Sequence, residues 1–239
     1  MFRNEGCFGE YCTRFQDRSG EIRVLMCESA KDVIECQPSC LSTLVPLLKE
    51  RLKDSQWEVR RSAVDSLCNL LNSHFESLHE DVVYPLCERV LDKRSEVRKF
   101  AITGLVNILS IHCSPYWNRG ESVDPALSAS MGVIAAMVVR CFACCTDDTK
   151  NRCSRLLNEI LVSNCSSDES VGLGYLWFFK ALQERYKILD LDEESMSDES
   201  LLAFRGYLRD GVRLRSLVRS LVREAEAGND LEVYAWLCF

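Results

Sequence analysis

Three groups of side chains in this 239-residue sequence could do chemistry: cations at recurring turns, a later run of arginines, and fourteen cysteines. The first group is Arg61, Lys93, Arg94 and Lys99, set around two Asp-bearing turns. Guanidinium and ammonium groups attract carboxylates and phosphates, and the planar arginine fork can take either with two parallel hydrogen bonds. The second group is Arg205, Arg209, Arg213, Arg215, Arg219 and Arg223. On a helix these fall within an arc of about 160°, opposite an apolar stripe of Tyr207, Leu214, Leu217, Val218 and Leu221. Each group has two readings. One is solvated charge, balanced on the arginine face by Asp210 and Glu224; the other is a surface for an anionic partner.

The cysteines argue against a metal site. A structural zinc centre takes four Cys or His ligands. Cys141, Cys144 and Cys145 have only Cys153 near them, and His74, His79 and His112 stand at no ligand spacing. Cys141 and Cys145 are i, i+4 on an apolar helical pattern, so they read as buried, reduced core residues, as do Cys36 and Cys40. A zinc-binding or redox protein using the Cys141–Cys145 cluster is the alternative of another class. Nothing local suggests a nucleophile with a base and an orienting acid. Gly172-Leu173-Gly174 lacks the Lys-Ser/Thr of a phosphate loop. No catalytic residue, cofactor or metal is therefore expected.

These groups need elements to hold them, and the composition says which kind. Hydrophobic residues make up 47% and charged residues 27%, a folded composition, while eleven glycines and five prolines are too few for a turn-rich all-β chain. A net charge of −7 weighs against a globally basic nucleic-acid binder. The longest apolar run, Met131–Val139, is far shorter than the roughly 20 residues of a membrane span, and no signal peptide is expected at the start.

A repeat organises the first half. Asp17 precedes Ile22-Arg23, Asp54 precedes Val59-Arg60, and Asp92 precedes Val97-Arg98; the spacings are 37 residues (17 to 54) and 38 (54 to 92). Ala63 and Ala101 occupy one further matching position, where the first copy has Met26. A period near 40 with two helices per unit is the pattern of HEAT and armadillo arrays. Asp54 and Asp92 are placed to accept free N–H groups at helix starts. Val59, Ala63, Leu67 and Leu70 form one helical stripe, and Val97, Ala101, Leu105 and Ile108 repeat it. The preceding helices are expected over 41–53 and 78–91, with Pro46 and Pro85 near their starts. Arg23, Arg60 and Arg98 are each expected to pair with the recurring Asp of a neighbouring turn, making a ladder. Arg61, Lys93, Arg94 and Lys99 have no such duty.

Residues 1–112 thus read as three HEAT-like helix pairs, 113–124 as a polar loop, and 125–239 as a less regular continuation. In that continuation helices are expected over about 125–145, 147–163, 166–187 and 198–226, with an acidic loop near 189–197. The fold class is an all-α HEAT-like solenoid of about ten helices.

Certain segments also resemble a known family. Arg14-Phe15-Gln16-Asp17 with Ser19 and Ile22-Arg23 is one, and Glu88-Arg89-Val90-Leu91-Asp92-Lys93-Arg94 with Val97-Arg98-Lys99, Ala101 and Gly104-Leu105 is the most specific. Asp147-Asp148 with Lys150, Leu161-Val162, and Leu214-Arg215-Ser216 with Val218-Arg219 and Leu221 add weaker matches. In order and approximate spacing these resemble the spine of the precocious dissociation of sisters protein 5 family, HEAT-repeat regulators of cohesin. The likeness covers about Arg14 to Leu221, an internal part of longer members. Ser95-Glu96 departs from the family's aromatic and basic pair at that turn.

The resemblance implies a nuclear, non-enzymatic scaffold of sister chromatid cohesion that binds the kleisin subunit of cohesin and cooperates with the cohesin-releasing factor. It implies indirect association with chromatin, no membrane, and no direct sequence-specific nucleic acid. A generic HEAT adaptor, for transport or phosphatase assembly, stands as the alternative scaffold. The candidate partner-binding residues are Arg61, Lys93, Arg94, Lys99, Arg205, Arg209, Arg213, Arg215 and Arg219.

Overall fold

The computed structural model describes residues 5–119, 124–144, 151 and 155. Every element among them is a helix: α1 (Glu5–Thr13), α2 (Gly20–Cys36), α3 (Leu41–Arg51), α4 (Trp57–Cys87), α5 (Ser95–Arg119) and α6 (Pro125–Cys144), with 3-10 turns at Arg14–Gln16, Pro38–Cys40 and Glu88–Leu91. The chain divides into two compact units, Met1–Ile108 and Leu109–Phe239.

In the first unit α4 packs on α2 and on α3. Both stripes read from the repeat are core. Val59, Ala63, Leu67, Val97, Ala101, Leu105 and Ile108 are fully buried, and Leu70 is nearly so. Small residues set how closely the helices approach. Ser62 Oγ donates to the Val24 carbonyl (3.3 Å) and Ser66 Oγ to the Cys27 carbonyl (2.6 Å), so α4 lies directly on the backbone of α2. One repeat later Gly104 stands where the earlier copies have Ser29 and Ser66, and a Cβ there would fall on the Cys68 side chain. In the second unit Leu127, Met131, Ile134, Ala135, Val138 and Val139 form the buried stripe of α6, opened by Pro125 in its first turn.

Several expected boundaries move. α4 continues through the expected 54–78 junction, interrupted only at His74 (φ −131°, ψ 36°), so the second of its two segments starts before Leu78 and ends at Cys87. Pro85 therefore sits near a helix end rather than a start, and the chain tightens into a 3-10 turn directly after it. Pro46 is inside α3. The loop expected at 113–124 is a correction: α5 runs on to Arg119, through Pro115. A proline removes the hydrogen bond to the carbonyl four residues back. For Pro115 that carbonyl belongs to Ile111, which is 44% exposed, so solvent can satisfy it. Cys36 is also corrected. It ends α2 in an exposed position, on the face away from the buried Ile34, whereas Cys40, one 3-10 turn later, is buried. The helices expected over 147–163, 166–187 and 198–226 and the acidic loop lie outside the described residues.

Candidate partner-binding surface

The site begins with the ladder that holds the helix starts. Arg23 reaches from α2 to the next turn, where Nε and Nη2 donate to the two carboxylate oxygens of Asp54 (2.8 and 2.9 Å). Arg60 repeats this with Asp92, at 2.8 Å for both bonds. The third guanidinium nitrogen is also used each time. Nη1 of Arg23 donates to the carbonyls of Asp17 and Arg18, that of Arg60 to Asp54 and Ser55, and that of Arg98 to Asp92 and Lys93. Each fork is thereby fixed in orientation by its own turn before it meets a carboxylate.

Each Asp has a second arginine that the sequence reading did not assign. Arg14, Arg51 and Arg89 stand three residues before Asp17, Asp54 and Asp92 and donate to them at 3.1, 3.4 and 3.4 Å. The signal was present, since an Arg-x-x-Asp spacing recurs at the repeat period. From their turns the Asp residues are expected to accept free N–H groups of the helix that follows; the groups they accept stand just ahead of it. Asp54 accepts the N–H of Gln56, and Asp92 that of Arg94, one residue before the helix in each case. Burial works to raise the Asp92 carboxyl, but the bonds from Arg60 and the Arg94 N–H, with the charges of Arg60 and Arg89, outweigh it and hold the group below its ordinary value. Asp54 is lowered by the same balance, with Arg23 as donor.

The ladder presents successive helix starts side by side, and four of the candidate cations stand on them. Arg61 is half-buried, with its guanidinium 4.8 Å from the centre of the Phe100 ring in the following repeat. Arg94 is exposed and lies 5.5 Å from the centre of the Trp57 ring in the preceding repeat. Two cation–π contacts thus cross the α4–α5 boundary in opposite directions. Lys93 is exposed beside a hollow of about 350 Å³ that also touches Lys53, Leu91 and the Arg60–Asp92 pair. Lys99 is half-buried one turn into α5. A wider open groove of about 1060 Å³ lies between the starts of α2 and α4, lined by Gly20, Glu21, Val24, Leu25, Gln56, Glu58 and Arg61 among others. Leu25 is 61% exposed and Phe100 38%, so apolar side chains are exposed beside the cations, while Glu21 and Glu58 line the groove with Arg61. The aromatic partners were not read from the sequence, because Trp57 and Phe100 hold positions the other copies fill differently.

Arg205, Arg209, Arg213, Arg215 and Arg219 lie outside the described residues, as does Cys145. Cys141 is buried, with Sγ donating to the Met137 carbonyl (3.3 Å). Among the described residues there is no group of three or more His, Cys, Asp and Glu that could hold a metal, and no helix is long and apolar enough to cross a membrane.

Residues 2–233 match the family described as sister chromatid cohesion protein PDS5. The chain belongs to the PDS5 family. A solved structure titled "Structure of the Pds5-Scc1 complex and implications for cohesin function" shares its fold, with a TM-score of 0.62 at 15% identity over 98% of this chain. The match covers 39% of that structure's chain, so the present sequence spans well under half of it. No curated protein matches. A HEAT-type solenoid accounts for the repeat and for the helical elements of the described residues.

Proposed function

We propose that this PDS5-family chain is a non-enzymatic scaffold in sister chromatid cohesion that holds an extended segment of the kleisin subunit of cohesin across its helix starts. The observation that carries the reading is the band formed by Arg61, Lys93, Arg94 and Lys99, two of them braced by rings of the adjacent repeat. Family membership and the fold shared with a protein titled as a Pds5–Scc1 complex support the same reading. Helix N-termini favour anions, so an acidic segment lying across them is attracted both by the side chains and by the backbone. In this reading the protein works in the nucleus, reaches chromatin through cohesin, and cooperates with the cohesin-releasing factor. In this reading Arg205, Arg209, Arg213, Arg215 and Arg219 are further candidate contacts for an acidic partner.

The test is a combined charge reversal, Arg61→Glu, Lys93→Glu, Arg94→Glu and Lys99→Glu. Exposed ion pairs contribute about 0.2–1 kcal/mol each, so single changes are nearly silent and four together weaken kleisin-fragment binding by roughly tenfold or more. Loss of the two cation–π contacts lowers the melting temperature by a few degrees only, since each is worth about 0.5–1 kcal/mol at an exposed site. A quadruple variant that binds as the parent does places the contact elsewhere.

A further inference from the structure

The ladder has three arginines in register, and among the described residues only Arg23 and Arg60 meet the carboxylate of the next repeat. Arg23 and Arg60 spend Nη1 on the carbonyls of their own turn and Nε and Nη2 on the Asp of the next repeat. Arg98 makes the same Nη1 contacts, 2.8 Å to the Asp92 carbonyl and 3.2 Å to that of Lys93. Its Nε–Nη2 edge meets no carboxylate among the described residues. The repeat period supplies none either. Steps of 37 or 38 residues from Asp92 reach Ala129 and Ser130, which are not acidic and lie inside α6 rather than in a turn.

The surroundings of Arg98 are cationic. Lys93 and Arg94 stand exposed on the same turn and Lys99 follows directly. The acid beside them, Glu96, is held below its ordinary value first by a backbone N–H, then by the Ser95 hydroxyl, with the charges of Arg94 and Lys99 adding to this. A fork already oriented by two carbonyls, with no carboxylate of the described residues on its bidentate edge and with Lys93 and Arg94 exposed on the same turn, is suited to receive a carboxylate from outside.

We infer that Arg98 is an open rung, a bidentate receptor for one Asp or Glu side chain of an acidic, extended protein segment that lies across the start of α5. This rests on the kleisin reading above and deepens it. It names a single anchor that differs from the four diffuse charges already proposed, and it assigns the anchor a geometry, since the incoming carboxylate takes the place that Asp92 takes on Arg60.

Arg98→Gln and Arg98→Lys variants of the 239-residue chain are titrated with a kleisin fragment alongside the parent, and their melting is compared with that of Arg60→Gln. Lysine keeps the charge and loses the fork, so both Arg98 variants are expected to bind about tenfold more weakly, because a charge-assisted bidentate contact is lost in each. Their melting temperatures stay close to the parent's, while Arg60→Gln melts well below it. Parent-like binding by both variants overturns the open rung and leaves the kleisin reading standing. Full binding by Arg98→Lys alone also overturns it, because charge would then suffice. A melting loss in Arg98→Gln comparable to that of Arg60→Gln overturns it too, since the rung would be filled from within the chain. Absence of kleisin binding by the parent itself defeats the function proposed above, and this inference with it.

Discussion

Replacing Asp92 by alanine tests whether the ladder couples neighbouring repeats. The Asp92 carboxylate receives four donors: Arg60 Nε and Nη2 at 2.8 Å, the Arg94 N–H at 3.0 Å and Arg89 Nη1 at 3.4 Å. The Arg60 and Asp92 side chains are only 4% and 2% exposed. Asp92→Ala leaves the Arg60 charge buried with two backbone carbonyls as its remaining acceptors. Removing one partner of a buried pair costs about 3–5 kcal/mol, most of it the stranded charge rather than the net value of the pair. At about 2–4 °C per kcal/mol for a chain of this length, the melting temperature falls by about 6–20 °C, read by circular dichroism at a helix wavelength. Asp17→Ala is the internal control at the same repeat position. Asp17 pairs with Arg14, whose side chain is 56% exposed, so that variant shifts far less. The reasoning is refuted if Asp92→Ala and Asp17→Ala melt alike.

Three more outcomes follow from the same contacts. Asp54 and Asp92 have folded-state carboxyls below their ordinary value of 3.8, so their stabilisation is complete above about pH 4 and is lost as pH falls through the lower folded values; acid titration of helicity shows a loss beginning below about pH 4 that is shallower in Asp92→Asn. Gly104→Ala overpacks the α4–α5 contact and destabilises by about 1–3 kcal/mol, and adding Cys68→Ala recovers part of it, whereas equal melting of the single variant and the parent contradicts the close approach. In native protein a thiol reagent modifies Cys7 and Cys36 quickly and Cys27, Cys40, Cys68, Cys87 and Cys141 slowly, with burial pushing the Cys27 thiol up to about 12, and all fourteen cysteines react on denaturation without prior reduction.

The fold was legible because it repeats. The Asp and Arg spacing located two ladder rungs, and the Val–Ala–Leu stripes located the buried faces, since period and burial are both written in residue type. Boundaries were less legible where proline reads as a stop in sequence: Pro115 falls in the expected loop, yet it lies inside α5, where the residue four positions back, Ile111, is exposed. Cys36 and Cys40 show the same limit. They are alike in type and four apart, and only the end of α2 decides that one is exposed and the other buried. On the candidate surface, charge was visible in the sequence but bracing was not. Arg61 on Phe100 and Arg94 on Trp57 join non-equivalent positions of neighbouring repeats, which no period aligns.

The most direct measurement is calorimetric titration of a cohesin kleisin fragment into the full 239-residue chain at two salt concentrations. Saturable one-to-one binding that weakens as salt rises is the predicted result, because the surface works through exposed charge. No heat of binding at either salt, from protein that melts cooperatively, contradicts the account.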